Sequence, residues 1–397
     1  MLCRKKPNTP PSLNISVFDR IIEGEDAATR KRLARQLAEL VADRATPPAE
    51  REEVTGPLLK LLMDPQRDIR AAIAEILTPV AGLHADIVFA IAADDDDIAL
   101  PFIRLSPSII GGRQMAIFEA GDKARRKALA GRCDLEPKTV TAMALKGCRD
   151  IILTLLGNAS IKISDADLKR IYVRWRKDVK VTEKLLKYPG LPLVIRAAHV
   201  RAASRRLREQ LAKGSLMAGR DIQATVLRAQ EDSLVDILTQ ARTRAELVEV
   251  LAFMSNREML TPSVILRAGC HGHIRVLEQS LAFLAGVKGK RMARFVKSGR
   301  GLPLRAILAK SGLPQSCHLL VRAIFDTARD MAESEEHGRI APPEAFGRAL
   351  LEKLASGYDR IAVHDKTRQV ELLARFCDDK TRVLAEHFCT GLLQAAA

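Results

Sequence analysis

The chain has 397 residues, 47% apolar and only 4% aromatic, with a formal net charge of +16 at pH 7. That is enough apolar material for two ordinary domains or one long repeat array, and it excludes a disordered chain. No run of 18 apolar residues occurs, so no membrane-spanning helix is expected.

Residues 1–15 are polar and proline-rich and are expected to form a loose tail. A helix is predicted from Asp26 to Arg44, with Leu33, Leu37, Leu40 and Val41 on one stripe, and Thr46-Pro47-Pro48 ends it. A second helix runs through Leu58 to Leu62 and stops at Asp64-Pro65. From there an aspartate opens five helix-like runs, at Asp68, Asp97, Asp122, Asp150 and Asp178. Their spacings are 29, 25, 28 and 28 residues. A near-constant period in this range marks stacked units that cannot bury their apolar faces alone. Each aspartate is expected to cap its helix, because a carboxylate there accepts first-turn N–H groups at the positive end of the helix dipole. A helix, a short turn and an Asp-started helix make the hairpin unit of HEAT-type solenoids.

After Gly190 the rhythm shortens. An arginine-rich helix over 191–213 breaks at Lys213-Gly214-Ser215. Helices follow near 221–239, 244–255, 261–269, 273–285, 289–298, 302–311, 314–332, 343–355 and 367–393. The acidic segment Met331 to Pro343 reads as an exposed loop, and no strand is predicted. The expected fold is all-α: a right-handed HEAT-like array over 16–190, and a helical C-terminal region over 191–397 packed on its end.

Seven cysteines are scattered without a CxxC pair, and no apolar signal core follows the basic opening residues. Both point to a reducing, cytoplasmic setting. Charge is uneven. Residues 1–100 hold 13 Lys/Arg against 17 Asp/Glu, residues 101–300 hold 38 against 18, and the remainder balances at 13 against 13. A basic middle suits phosphates or acidic protein, or simply coats the outer helices.

The segments DPQRDIRAAIAEIL at 64–77, DDDIALPFIRLSPSI at 95–109, AGDKARRKALAG at 120–131 and the basic and L-P-turn helices of 273–326 resemble a bacterial family, the domain of unknown function 2336. The resemblance spans roughly 16–390. It implies a helical-repeat fold and no activity or catalytic residues.

The strongest site candidate is Val287 to Arg300, with Lys288, Lys290, Arg291, Arg294, Lys297 and Arg300 and no acid among them. Arg291, Arg294 and Lys297 are three apart and share a helix face, and Gly289 ahead of them leaves backbone N–H groups for a phosphate. A second cluster holds Lys169, Arg170, Arg174 and Lys177 around Trp175 and Tyr172. Aromatic rings among cations can stack on bases, but Tyr172 is expected in the repeat core. Cys270-His271-Gly272-His273 is the one dense set of soft ligands, and it lacks the second pair that zinc requires. The run Asp94 to Asp97 reads as a solvated turn rather than a calcium loop, which would need a Gly and a distal Glu.

Phosphate loops, GxSxG, HExxH and dinucleotide fingerprints are missing from the sequence. The expected function is therefore non-enzymatic binding or scaffolding of an acidic protein or other anion, with no cofactor and no metal. The alternatives are nucleic-acid binding through phosphates and an enzyme resembling HEAT-like DNA glycosylases. The latter needs an acid and several rings in one basic cleft, and this chain is poor in rings. Oligomeric state is left open.

Overall fold

The computed structural model describes residues 22, 24, 26–213, 219–297, 301–334, 343–356 and 363–396. Among these residues every regular element is a helix, so the fold is all-α. The chain packs as two units, divided between Leu191 and Pro192.

In the first unit the helices alternate between two rows. One row holds Ala27–Ala42, Arg67–Leu77, Asp96–Leu105, Lys123–Ala130, Arg149–Leu156 and Val179–Leu186, and each touches the next in that series. We call it the aspartate row. The companion row holds Pro48–Leu61, Ala85–Ala93, Gly112–Ala120, Pro137–Lys146 and Asp165–Trp175, again each against the next. The two rows also touch within hairpins, as between Ala85–Ala93 and Asp96–Leu105, and between Gly112–Ala120 and Lys123–Ala130. This neighbour pattern is consistent with stacked helical hairpins, whose apolar faces are closed only by adjacent copies. Ile69, Ile73, Leu77, Ile98, Phe102, Ile103, Ile151, Ile152 and Leu155 are all buried, at helical spacing on successive helices.

The repeated aspartates divide into two kinds. Asp122 and Asp178 are N-caps, accepting the backbone N–H of Arg125 at 2.9 Å and of Val181 at 3.0 Å. Asp68, Asp97 and Asp150 are not caps, contrary to the expectation from their spacing. They sit in the first helical turn, after Gln66, Asp95 and Cys148 at the cap positions. A residue inside the helix already has helical backbone angles, so its carboxylate points along the surface instead of back at the first N–H groups. Asp97 and Asp150 use that direction to reach a cation of the preceding aspartate-row helix: Arg67 and Lys123, the latter at 2.5 Å.

Those contacts belong to a ladder along the row. Arg30 pairs with Asp64 at 2.7 Å, and Arg70 holds Asp94 at 3.0 Å and Asp95 at 2.7 Å. Arg125 holds Asp96 at 3.1 Å, and Arg149 reaches Asp178 at 2.8 Å. The run Asp94 to Asp97 is therefore not a bare solvated turn: each carboxylate is neutralised by an arginine of a neighbouring hairpin. Arg132, 2% exposed, crosses between hairpins to donate to the carbonyls of Ile103 at 2.6 Å and Ser106 at 2.9 Å.

The second unit starts with the paired helices Leu193–Lys213 and Gly219–Thr239, followed by Arg244–Asn256, Pro262–Cys270 and Ile274–Leu284. Their shared core includes Leu234, Leu238, Leu251, Met254 and Val264. A second core joins Leu277, Leu281, Leu320, Ile324, Leu350 and Leu373 from the later helices. The helix expected over 367–393 is two helices, Val363–Phe376 and Asp379–Ala396. Asp378 breaks it by accepting the backbone N–H groups of Lys380 and Thr381 at 3.1 and 3.0 Å, a local alternative to helix continuation. Met331 to Ser334 close the helix His318–Ser334 and are not loop; residues 335–342 lie outside the described residues, as does the expected tail. Among the described residues no helix is long and apolar enough to cross a membrane.

Candidate functional site

The helix Gly289–Lys297 is amphipathic: Met292 is fully buried in the second core and Phe295 packs against it. Burying those two side chains fixes the opposite face outward. Lys288, Lys290, Arg291 and Arg294 are all exposed, and among the described residues none has a carboxylate partner. The Arg291 guanidinium lies 5.6 Å from the Phe295 ring centroid, a cation–π contact that steadies its stem without consuming its charge. Lys290 and Arg294 are four apart, a like-charge spacing that weakens a helix by about 0.2–0.5 kcal/mol. Lys297 ends the helix; its side chain and Arg300 lie outside the described residues.

Gly289 opens this helix instead of preceding it. The Arg244 side chain and Gln279 occupy the space a Cβ at Gly289 would take, and Arg244 Nε donates to Gln279 Oε1 at 2.9 Å. A fifth cation therefore stands at the helix N-terminus, supplied from 45 residues upstream. Sequence reasoning missed it because no local pattern links Arg244 to Gly289.

The second cluster belongs to the first unit and is largely consumed there. Arg170 pairs with the buried Asp167 at 2.6 Å. Arg174 donates to the Leu145 carbonyl at 2.8 Å and stacks 5.1 Å from the Trp175 ring centroid. Tyr172 is buried, as its helical position requires. Lys169 and Lys177 are exposed. One partly covered indole with no second free ring gives no run of stacking surfaces for successive bases.

Around Cys270 the soft ligands do not assemble. Cys270 is buried, and burial pushes its thiol well above the ordinary range and that of Cys377 up to about 12, so neither is a thiolate. The rings of His271 and His273 are 6.3 Å apart, and burial holds both pKa values below the ordinary histidine value. Gly272 between them has φ +79°, the left-handed turn that reverses the chain. Among the described residues no three His, Cys, Asp or Glu side chains are placed to hold one metal ion.

No curated protein and no solved structure matches the chain. A family model described as an uncharacterised protein conserved in bacteria (DUF2336) matches residues 98–364, two-thirds of the chain. The match runs from within the helix Asp96–Leu105 through the cationic helix to residue 364, so the 64–77 segment, expected to belong to the family, lies outside it. The chain belongs to the bacterial DUF2336 family.

Proposed function

We propose that this protein is a non-enzymatic binding or scaffold protein of the bacterial cytoplasm that engages an acidic segment of a partner protein through the exposed face of the helix Gly289–Lys297. One observation carries the reading. Most cations that the aspartate row places between hairpins meet a carboxylate, whereas Lys288, Lys290, Arg291 and Arg294 meet none among the described residues. Three like charges on a helix anchored by Met292, with Lys288 just ahead of it, repel one another, and an anionic partner relieves that repulsion. The six free cysteines among the described residues suit a reducing setting.

The test is titration of a fluorescent glutamate-rich peptide against the wild-type chain and K290E/R291E/R294E, with a duplex DNA probe in parallel. Loss of at least tenfold in peptide affinity in the triple variant supports the reading. Unchanged peptide affinity overturns it. Tighter binding of the duplex, falling with salt along a log–log slope of about −0.9 per phosphate, moves the function to nucleic acid.

A further inference from the structure

The aspartate row carries a second feature, unrelated to the cationic helix. An open groove of about 840 Å³ runs across Asp96–Leu105, Lys123–Ala130 and Arg149–Leu156. Pro101, Leu105 and Ala128 give it an apolar lining, and Leu105 is 65% exposed. Thr154 contributes from the third helix with its hydroxyl already donated to the Asp150 carbonyl at 2.8 Å. Its only charged lining residues are Arg104 and Lys127, and no carboxylate lines it. The row's acids stand at the other, N-terminal ends of these helices, where Arg67, Arg70, Arg125 and Lys123 hold them.

We infer that this groove docks an amphipathic helix of another protein, with its apolar side chains in the groove and its acidic residues against Arg104 and Lys127. Three arguments select that occupant. The lining is apolar with cations alone at its rim, so the complement is apolar with carboxylates beside it. The groove's walls are helices whose backbone groups are already bonded internally, so it offers no strand edge, and an occupant has to satisfy its own backbone, as a helix does. Neighbouring helices pack about 8–10 Å apart, so three of them present about 16–20 Å, the length of roughly 11–13 helical residues. Such a helix offers anchors at i, i+3/i+4 and i+7. The inference rests on the reading of the chain as a binder of acidic protein but uses a different surface, so the two fail separately.

The probe is a labelled 18-residue peptide with Leu at i, i+3, i+4, i+7 spacing and Glu elsewhere, alongside a twin carrying Lys for Glu. Fluorescence anisotropy on the full chain is expected to show the acidic peptide binding at least tenfold more tightly than its twin. Ala128→Arg is expected to weaken it at least tenfold with far-UV CD unchanged. R104E/K127E is expected to reverse the preference, measured in the K290E/R291E/R294E background so that the cationic helix does not hold the acidic peptide. Should Ala128→Arg misfold, Leu105→Asp makes the same comparison from a side chain outside the core. Equal binding of both peptides, or indifference to the groove variants, overturns the inference. A concentration-dependent dimer dispersed by Ala128→Arg reassigns the groove to a second copy of this chain and overturns it. Groove-dependent co-sedimentation with phosphatidylglycerol vesicles without peptide binding does so in favour of a lipid surface.

Discussion

Arg132→Met tests whether the stack of hairpins depends on buried arginine–carbonyl bridges. Arg132 is 2% exposed, and its guanidinium closes the end of the helix Asp96–Leu105, one hairpin back, through the carbonyls of Ile103 and Ser106. Methionine keeps much of the stem's packing but leaves the Ile103 carbonyl without its donor and the Ser106 carbonyl with only the Ile109 N–H at 3.3 Å. A hydrogen bond from a charged group contributes about 1.5–3 kcal/mol, so the pair accounts for about 3–6 kcal/mol. The released Asp134, bonded to Arg132 at 2.7 Å, is 42% exposed and adds little, because water takes up its charge. Trp175 is the only tryptophan and lies in the same unit, so its fluorescence reports urea unfolding there without interference from the second unit. Arg132→Met should lower the unfolding free energy by about 3–6 kcal/mol, and Asp134→Asn by under about 1 kcal/mol. A loss under about 1 kcal/mol for Arg132→Met would refute the bridging argument and leave apolar packing and pairs such as Arg125–Asp96 to tie these hairpins.

Three further predictions follow the same logic. Asp178→Ala removes both a cap and the Arg149 pair and should cost about 1–2 kcal/mol; Asp68→Ala, which removes only a first-turn charge, should cost about 0.5 kcal/mol or less by the same urea titration. Asp167 is 2% exposed; burial alone would raise its pKa, but hydrogen bonds from Ser164 at 2.7 Å, Arg170 at 2.6 Å and Thr141 at 2.9 Å outweigh that and hold it below the ordinary value of 3.8. Its stabilisation is therefore complete above pH 3.8 and lost as pH falls through the lower folded value, so Asp167→Asn should flatten the acid limb of the stability–pH curve, and an unchanged limb would count against this assignment. Gly272→Ala places a Cβ at φ +79° and 3.2 Å from the Phe346 ring and should destabilise the second unit by about 1–2 kcal/mol in thermal unfolding followed by CD; a neutral outcome would mean the turn relaxes freely.

Much of the helical content was readable because apolar residues recur at the helical period and proline, glycine and aspartate punctuate them. The period between aspartates was equally legible. Their roles were not: a cap and a first-turn acid differ by two residues of register, and register depends on where the preceding turn places the first helical N–H. The ladder partners were hidden for a related reason. Arg67 and Asp97 are 30 residues apart and Arg70 and Asp94 are 24 apart, about one repeat in each case. Opposite charges offset by the repeat period were therefore the available signal, although local charge patterning looks only three or four residues away. The same blindness concealed Arg244 beside Gly289 and merged the last two helices, since the Asp378 cap competes with a continuous apolar stripe only in detail.

By itself the amino-acid sequence determined an all-helical chain, a repeat near 28 residues and a cationic stretch at 287–300 free of acids, because propensity, periodicity and charge are local properties. Tertiary structure alone decided which cations are used up and which stay available. Stacking brings residues one repeat apart within bonding distance, so Arg30, Arg67, Arg70, Arg125 and Arg149 of the aspartate row meet carboxylates. The helix Gly289–Lys297 turns Met292 inward and leaves Lys290, Arg291 and Arg294, with Lys288 just ahead of them, facing solvent, with no acid among the described residues to meet them.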